Sequence, residues 1–338
     1  MRFLVKWLRR AVFVLAIVAV AVLAIFFGVR AMEHRRLTRL QHLPYEFYAK
    51  ERASRIVLDH VKLLDGTGDP ARVDQSIVIE QGKITYTGPS SQRPDVPGAR
   101  LLDLSGRSVI PGLVGMHEHL FTTAPSLPGS STLLVQQSTV SRLLYLASGV
   151  TTIRTAGSIA PEADIELKRK IDSGEMIGPE IFMTAPYLEG SPPTFPEMHA
   201  LADAGDARKA VQMWAARGMT SFKAYMMITP DELHAAIDAA HALGLKLTGH
   251  LCTIGLEQAA DLGIDNIEHG LISETALYSE KKPNECPERT GSVLREINAT
   301  DIQSEKMQHL IRQLVAHHVA ITSTLAVIES ELLNPTDA

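Results

Sequence analysis

The strongest constraint on the fold of this chain is a regular alternation of apolar strands and amphipathic helices that begins at Val109. The clearest helix is TPDELHAAIDAAHALG, in which Thr229 and Glu232 form a capping box, Pro230 lies in the first turn and Gly244 ends the helix. Seven segments are typical of strands: VIPGLVG, VTTIRTAG, EIFMTAPY, MTSFKAYM, LKLTGHLC, DNIEHGLI and VAITSTLAVI. Strands that alternate with helices in this way predict parallel βαβ units.

These units predict an α/β fold of the (β/α)8 TIM-barrel type over residues 109–338. They follow one another without a break in composition, which favours one closed barrel of about 250 residues over an open sheet. No GxGxxG or Walker-type phosphate loop opens a helix, and this weighs against a nucleotide-binding doubly wound fold. The sequence ends after the seventh strand. We therefore expect an incomplete barrel without strand 8, as a fragment of a longer protein or as a shortened chain.

A smaller β-rich segment is predicted over residues 52–108. RIVLDHVKLLDG and SIVIEQGKITYTG alternate apolar and polar residues, and Gln81-Gly82 lies where a hairpin turn is expected. We expect short antiparallel strands that form part of a β-sandwich and are too few to make a stable domain alone.

The first 30 residues are expected to be a signal anchor or transmembrane segment, followed by a polar linker over residues 31–51. Residues 11–28 are unbroken apolar sequence, at the lower edge of the roughly 17–25 residues that span a bilayer as a helix. A long signal peptide cleaved after Ala31 is the alternative. Membrane contact is thus expected through residues 11–28. The barrel is expected in the periplasm or outside the cell, either anchored or secreted after cleavage.

Composition excludes some functions and leaves others open. The net charge is -5, and no stripe of Lys and Arg marks a nucleic-acid surface, so we expect no nucleic-acid partner. The two cysteines, Cys252 and Cys286, are too few for a disulfide framework, and their spacing does not resemble a structural zinc site. Cys252 is expected to be a small buried apolar residue. A homo-oligomer is compatible with the sequence.

Chemically active side chains follow the predicted strands. His117 and His119 close the first strand and, being two residues apart, share a face; Lys223 lies near the end of the fourth strand, His250 ends the fifth and His269 the sixth. A lone histidine at a strand end is more often a hydrogen-bonded core or rim residue than a ligand, an H-x-H pair alone is evenly balanced between the two, and Lys223 could simply reach solvent. Together they converge on the carboxyl ends of parallel strands, where such barrels carry their active sites. The pattern predicts a metal site, since neutral imidazole is a good zinc ligand.

Lys223 is the unusual member of this set, because an ammonium group cannot bind a cation. Burial lowers the pKa of a lysine by disfavouring its charged form. A neutral amine can react with CO₂ to give a carbamate, which is an anionic oxygen ligand able to bridge two metals.

The motifs VIPGLVGMHEHL, SFKAY, TGHL and IEHG together resemble the amidohydrolase superfamily, and most closely its imidazolonepropionase-like and Xaa-Pro dipeptidase-like branch. The resemblance covers the chain from about residue 55 to its end. It implies that His117 and His119 bind metal, and that a carboxylated Lys223 bridges two divalent ions, usually zinc, although whether this chain binds one or two ions stays open. It also implies that His250 and His269 bind the second ion. The short strands before the barrel would be half of a β-sandwich.

The resemblance further implies a metal-activated hydroxide that hydrolyses a C–N bond in a small amide, cyclic amide or dipeptide. The catalytic aspartate of this superfamily follows strand 8, and Asp337 comes too soon after the seventh strand to fill that role. The catalytic residue is therefore unknown, and a membrane-anchored, non-catalytic remnant or inactive fragment is the alternative function. Tyr225, Arg154 and Tyr187 are candidates for binding substrate. Arg154 could equally pair with a neighbouring acid, and Tyr225 could simply pack at the rim.

Overall fold

The computed structural model describes residues 20–32, 35, 51, 53–123, 134–288 and 291–327. The chain divides into two compact units, Met1–Ile110 and Pro111–Ala338. Each unit has its own sheet structure and is described by itself.

The described residues of the first unit form one mixed sheet in the order β3-β2-β1-β4. The short strand β5 also pairs with β1. Its strands are β1 (Arg55–Leu63), β2 (Arg72–Glu80), β3 (Lys83–Pro89), β4 (Arg100–Asp103) and β5 (Ser108–Val109). The predicted hairpin is confirmed, because Gln81 and Gly82 both adopt positive φ between the antiparallel β2 and β3. The expectation of only antiparallel strands is wrong. β4 and β5 pair parallel to β1, since the chain between β3 and β4 crosses to the other edge of β1.

The described residues of the second unit contain seven parallel strands, and all seven predicted strands are confirmed. They are β6 (Leu113–Glu118), β9 (Val150–Thr155), β10 (Glu180–Phe182), β11 (Ser221–Ala224), β12 (Lys246–Gly249), β13 (Asn266–Glu268) and β14 (Ala320–Thr322). β6, β9 and β10 pair in one sheet and β11 to β14 in another; parallel bridges from Thr184 to Ser221 and from Leu188 to Ala224 connect the two. A short antiparallel hairpin, β7 (Phe121–Thr123) and β8 (Leu134–Gln136), follows β6.

Helices connect the strands as the periodicity predicts. They are α1 (Ser138–Ala147), α2 (Pro161–Asp172), α3 (Ala204–Ala216), α4 (Pro230–Ala242), α5 (Leu256–Asp261), α6 (Gly291–Ala299) and α7 (Glu305–Ala316). The predicted capping box of α4 is confirmed, since the Thr229 side chain accepts from the Glu232 N–H and the Glu232 side chain accepts from the Thr229 N–H. The helices pack on the strands over one core, to which successive strands each contribute a residue with 1% exposure or less: Ile153, Ile181, Phe222, Leu247 and Ile267.

The strand order is that of a TIM-barrel-like fold, but the strands do not close into a ring within the described part of the chain. There β6 pairs only with β9, and β14 pairs only with β13. Toward the amino-terminal ends of the strands, the interior holds a cavity of about 780 Å³. All seven strands line it, through Val114, Thr152, Phe182, Ser221, Leu247, Asn266 and Ile321 among others. Asp337 lies outside the described residues.

The expectation for the cysteines needs correction. Cys252, which follows β12, and Cys286, in the segment before α6, form a disulfide with their Cα atoms 4.9 Å apart. Cys252 is buried as expected, with 1% exposure, but it is not a free apolar residue. The two residues are 34 positions apart in the chain, so only the fold brings them together.

The apolar amino-terminal segment is described only in part. Residues 20–32 form a helix, whereas residues 11–19 of the predicted span lie outside the described residues. In the portion of the chain that the structure describes, there is no helix with the length and apolar character that a membrane crossing needs. The described residues thus give no support to the predicted span.

Candidate active site

The five predicted ligand residues come together at the carboxyl ends of four strands. His117 lies at the end of β6 with His119 just after it; Lys223 is in β11, and His250 and His269 directly follow β12 and β13. The ring centroid of His117 lies 5.1 Å from that of His119 and 4.7 Å from that of His269. The ring centroids of His250 and His269 are 4.4 Å apart. Lys223 Nζ is 3.5 Å from His117 Nε2.

The backbone at the end of β13 explains how His269 joins this cluster. His269 adopts the left-handed conformation with φ of 68°, and Gly270 follows with φ of 73°. This turn takes the chain out of the strand, and His269 Nδ1 then lies 2.7 Å from the hydroxyl of Thr324. A non-glycine residue in this conformation is strained and is commonly found at functional sites.

The environment favours neutral imidazoles. Burial lowers the pKa of His117, although its hydrogen bond to Glu268 opposes that shift. Burial, helped by the nearby Lys223 charge, holds the pKa of His119 well below its usual range. His119 Nδ1 is buried and finds no hydrogen-bond partner among the described residues. Neutral imidazole is the form that binds metals, and an unpartnered buried nitrogen is costly unless something binds it.

Lys223 is almost completely buried, with 1% exposure. Burial lowers its pKa to about 7, while the carboxylate of Glu268 works in the opposite direction. A large fraction of the neutral amine is therefore present near pH 7, which is the form that a carbamate requires.

The donor types fit a divalent metal, but the described residues are not arranged around one. Within the described ranges, no three side chains of His, Cys, Asp or Glu are placed so that they could hold a metal ion. The imidazoles instead contact one another as rings. Four imidazoles, one of which has a buried nitrogen without a partner among the described residues, have the chemistry of a zinc or similar site.

Glu268, which the motifs did not single out, lies among these side chains with no exposed surface. Its Oε2 is 2.7 Å from His117 Nδ1, and its Oε1 accepts from Arg154 Nη2 and from the Thr248 hydroxyl, each at 2.7 Å. Burial alone would raise the pKa of Glu268, but the His117 hydrogen bond and the charge of Lys223 lower it well below its usual range. A sequence signal existed: a charged residue inside an otherwise apolar strand is nearly always paired.

The three candidate substrate residues differ in their contacts. Arg154 binds Glu268, so the alternative of a neighbouring acid is the one that the structure shows. Tyr187 and Tyr225 lie beside the cluster, with ring centroids 4.8 Å apart and with Lys223 Nζ 5.5 and 5.7 Å from them, respectively. The Tyr225 ring also lies 5.0 Å from His250.

Apolar side chains extend this aromatic wall away from the imidazoles. Tyr187 packs in a small cluster with the buried Leu134 and Met198, and with Phe121, Ile159, Phe195 and Tyr225 around them. Phe121 also lies against His119, with ring centroids 4.5 Å apart. One side of the candidate site is thus apolar and aromatic, and the other side is formed by imidazoles.

Parallel βα units with a buried lysine and convergent imidazoles at the carboxyl ends of their strands define a TIM-barrel-like enzyme. A sequence model of the amidohydrolase family matches residues 108–332, and the chain belongs to this family. The family resemblance drawn from the motifs is therefore confirmed.

Proteins similar to this chain carry related names. It is 24% identical to an imidazolonepropionase of Rhizobium rhizogenes over 65% of this chain and 63% of that protein. It is 26% identical to the imidazolonepropionase of Mycolicibacterium smegmatis over 57% and 54%, respectively. A 5-methylthioadenosine/S-adenosylhomocysteine deaminase of Symbiobacterium thermophilum is 39% identical, over only 20% of this chain and 16% of that protein. The chain thus spans less than two thirds of each of these relatives.

Solved structures show the same architecture. A protein of Bifidobacterium longum described as a prolidase has a TM-score of 0.53 at 27% identity, over 64% of this chain and 54% of that one. A Xaa-Pro dipeptidase with bound methionine has a TM-score of 0.55 at 20% identity, over 80% and 79%. At that identity the second likeness shows the fold alone.

Proposed function

We propose that this protein is a metal-dependent hydrolase that cleaves a C–N bond in a small amide, cyclic amide or dipeptide. The single observation that carries the proposal is the meeting of four imidazoles and one buried lysine at the carboxyl ends of four parallel strands. Membership in the amidohydrolase family and the names of the relatives support the same bond type.

In this proposal His117, His119, His250 and His269 hold one or two divalent ions, with zinc as the expected metal, and Lys223 joins them as a carbamate. A divalent ion bound there supplies a Lewis acid that polarises a carbonyl and acidifies water. Burial lowers the pKa of Lys223 to about 7, so a substantial fraction of the neutral amine is present, and its Nζ can form a bond to CO₂ while releasing one proton. No proton carrier for the reaction is assigned.

The aromatic wall gives a first expectation for the substrate. Tyr187 and Tyr225 lie next to Lys223 and His250, where an apolar group beside the scissile bond would pack against their rings. Arg154 is held by Glu268 and is not proposed to bind the substrate. We therefore propose that the substrate presents an apolar or aromatic group on this side.

The test is metal analysis of the purified full chain, followed by assays on N-acyl amino acids, dipeptides and cyclic amides. We expect at least one divalent ion per chain and turnover that a chelator abolishes and zinc restores. Lys223→Met should lose activity and the ¹³C signal of a carbamate after incubation with ¹³C-bicarbonate. Lys209→Met, at an exposed position of α3, is the matched control and should keep both. Less than one ion per chain, with no turnover, would favour the alternative of a non-catalytic remnant.

We also propose that the protein is delivered across a membrane, by an anchor or a cleaved signal within residues 1–31. The unbroken apolar residues 11–28 support this proposal. So does the bridge between Cys252 and Cys286, because disulfides persist mainly in oxidising compartments. Cell fractionation with amino-terminal sequencing tests it, since an anchored chain keeps its first residues in the membrane fraction and a cleaved one begins near residue 32.

A further inference from the structure

Glu268 is a fully buried acid that the proposed reaction does not use, and it connects three other strands of the barrel. Its Oε2 contacts His117 of β6, and its Oε1 contacts Arg154 of β9 and Thr248 of β12. Two donors on Oε1 prevent the carboxylate from rotating, so that Oε2 stays directed at the imidazole. The contact from Oε2 to His117 Nδ1 is 2.7 Å long.

This contact fixes which nitrogen of His117 carries a proton. An ionised carboxylate only accepts hydrogen bonds, and the Arg154 guanidinium at 2.7 Å favours the ionised form. His117 Nδ1 must therefore be the donor. A neutral imidazole has one N–H, so Nε2 is left with a free lone pair. Nε2 is also the nitrogen that faces Lys223, at 3.5 Å.

We propose that Glu268 is a positioning residue that holds His117 in the Nδ1–H tautomer and so presents Nε2 to the metal. Arg154 and Thr248 serve the same end by holding the carboxylate. The proposal rests on the metal-dependent function proposed above. Its physical reason is general: a histidine ligand whose second nitrogen donates to a carboxylate has its tautomer and ring orientation fixed, and its basicity increased.

A purely structural role is the competing explanation, since a buried Arg–Glu pair also joins β9 to β13. Stability alone cannot separate the two roles. Glu189 offers a matched control, because it is equally buried and accepts four hydrogen bonds, but only from loop backbone and Thr194. Glu189→Gln disturbs a buried carboxylate without touching an imidazole.

The first experiment measures zinc affinity of the full chain by competition with a chromophoric chelator. Glu268→Gln should bind zinc about 10–100-fold more weakly than the wild type, which is the usual effect of losing such a partner. Glu189→Gln, compared at equal folded fraction, should bind within about twofold of the wild type. A Glu268→Gln affinity that matches the wild type overturns the positioning proposal.

The second experiment needs no substitution of Glu268 and reads the tautomer directly. In the metal-free, histidine-¹⁵N-labelled wild type, His117 should show a protonated Nδ1 and a bare Nε2, with its signals identified by their loss in His117→Asn. A protonated Nε2 overturns the proposal. If the wild type binds no zinc, the proposed function fails, and the tautomer still decides whether Glu268 positions His117.

Discussion

At the scale of single residues, the buried carboxylate of Glu189 holds two loop segments together through hydrogen bonds. It has no exposed surface, and it accepts from the backbone N–H groups of Gly190, Thr194 and Met227 and from the Thr194 hydroxyl at 2.7–3.2 Å. Burial raises its pKa, and these four hydrogen bonds oppose that shift only in part. The side chain thereby joins the segments that follow β10 and β11.

Glu189→Gln should therefore destabilise the protein. An amide has one accepting oxygen, and its NH₂ group would face donors, so at least one buried donor loses its partner at a cost of about 2–3 kcal/mol. Urea unfolding at neutral pH measures the change. Glu180→Gln, at an exposed site in β10, is the control and should stay within about 0.5 kcal/mol of the wild type. Equal losses in the two variants would contradict this role.

Asp265 is a residue whose charge state should set part of the acid stability. Burial alone would raise its pKa, but the Lys246 ammonium at 2.6 Å, the Leu247 N–H and His241, both at 2.9 Å, lower it below the usual value. A carboxyl with a depressed pKa stabilises the fold above the unfolded pKa of about 3.9. That contribution is lost as the pH falls through the folded pKa.

We expect the stability of the wild type to fall between about pH 5 and pH 3 more steeply than that of Asp265→Asn. The asparagine variant should already be less stable near neutral pH, because it lacks the charge that Lys246 and His241 contact. Urea midpoints measured across this range for both proteins give the difference. Parallel curves would show that Asp265 contributes nothing to the acid transition.

At the scale of elements, the segments after β10 and β11 pack so closely that one position between them has no room for a side chain. A Cβ built on Gly190 would overlap the backbone carbonyl of Met227. Gly190→Ala must therefore push the two segments apart, and overpacking of this kind costs about 1–3 kcal/mol. Tyr225, which is two residues before Met227, should be displaced with it.

Thermal unfolding of Gly190→Ala tests this prediction, and we expect its melting temperature to lie below that of the wild type. Gly174→Ala is a useful comparison, since its Cβ meets nothing and only its positive φ of 77° opposes the change. A Gly190→Ala protein as stable as the wild type would contradict the close approach.

The elements themselves were largely predictable, because strands and caps depend on local patterns. The capping box of α4 and all seven parallel strands follow from residues close in sequence. The partners of Glu268 could not be predicted, since they lie on β6, β9 and β12, up to 151 residues away. The cysteine bridge and the parallel pairing of β4 were missed for the same reason: both depend on how distant segments cross.

At the scale of the whole molecule, the bridge between Cys252 and Cys286 fastens the segment before α6 to the loop after β12. Lys281 Nζ donates to the carbonyl of Thr253 at 2.8 Å and adds to this attachment. The loop that the bridge closes covers a sequence separation of 34 residues. His250, a proposed metal ligand, is only two residues from the bridge.

Reduction of the bridge should lower the free energy of unfolding by about 2–4 kcal/mol, because the unfolded chain gains loop entropy. Thermal melts with and without reductant measure this. The double variant Cys252→Ser/Cys286→Ser should melt at the lower temperature in both conditions. A wild type whose melting is insensitive to a reductant that removes the disulfide would contradict the prediction.

The long sequence separation between His117 and Glu268 bears on the order in which contacts form during folding. This separation of 151 residues is among the costliest to close, since the entropy of closing a loop grows with its length and such contacts slow folding. During synthesis His117 leaves the ribosome long before Glu268 exists, and the four parallel strands β9 to β12 lie between them in the sequence. We therefore expect the contact between His117 and Glu268 to form late in folding, so that partly folded chains lack the complete candidate site.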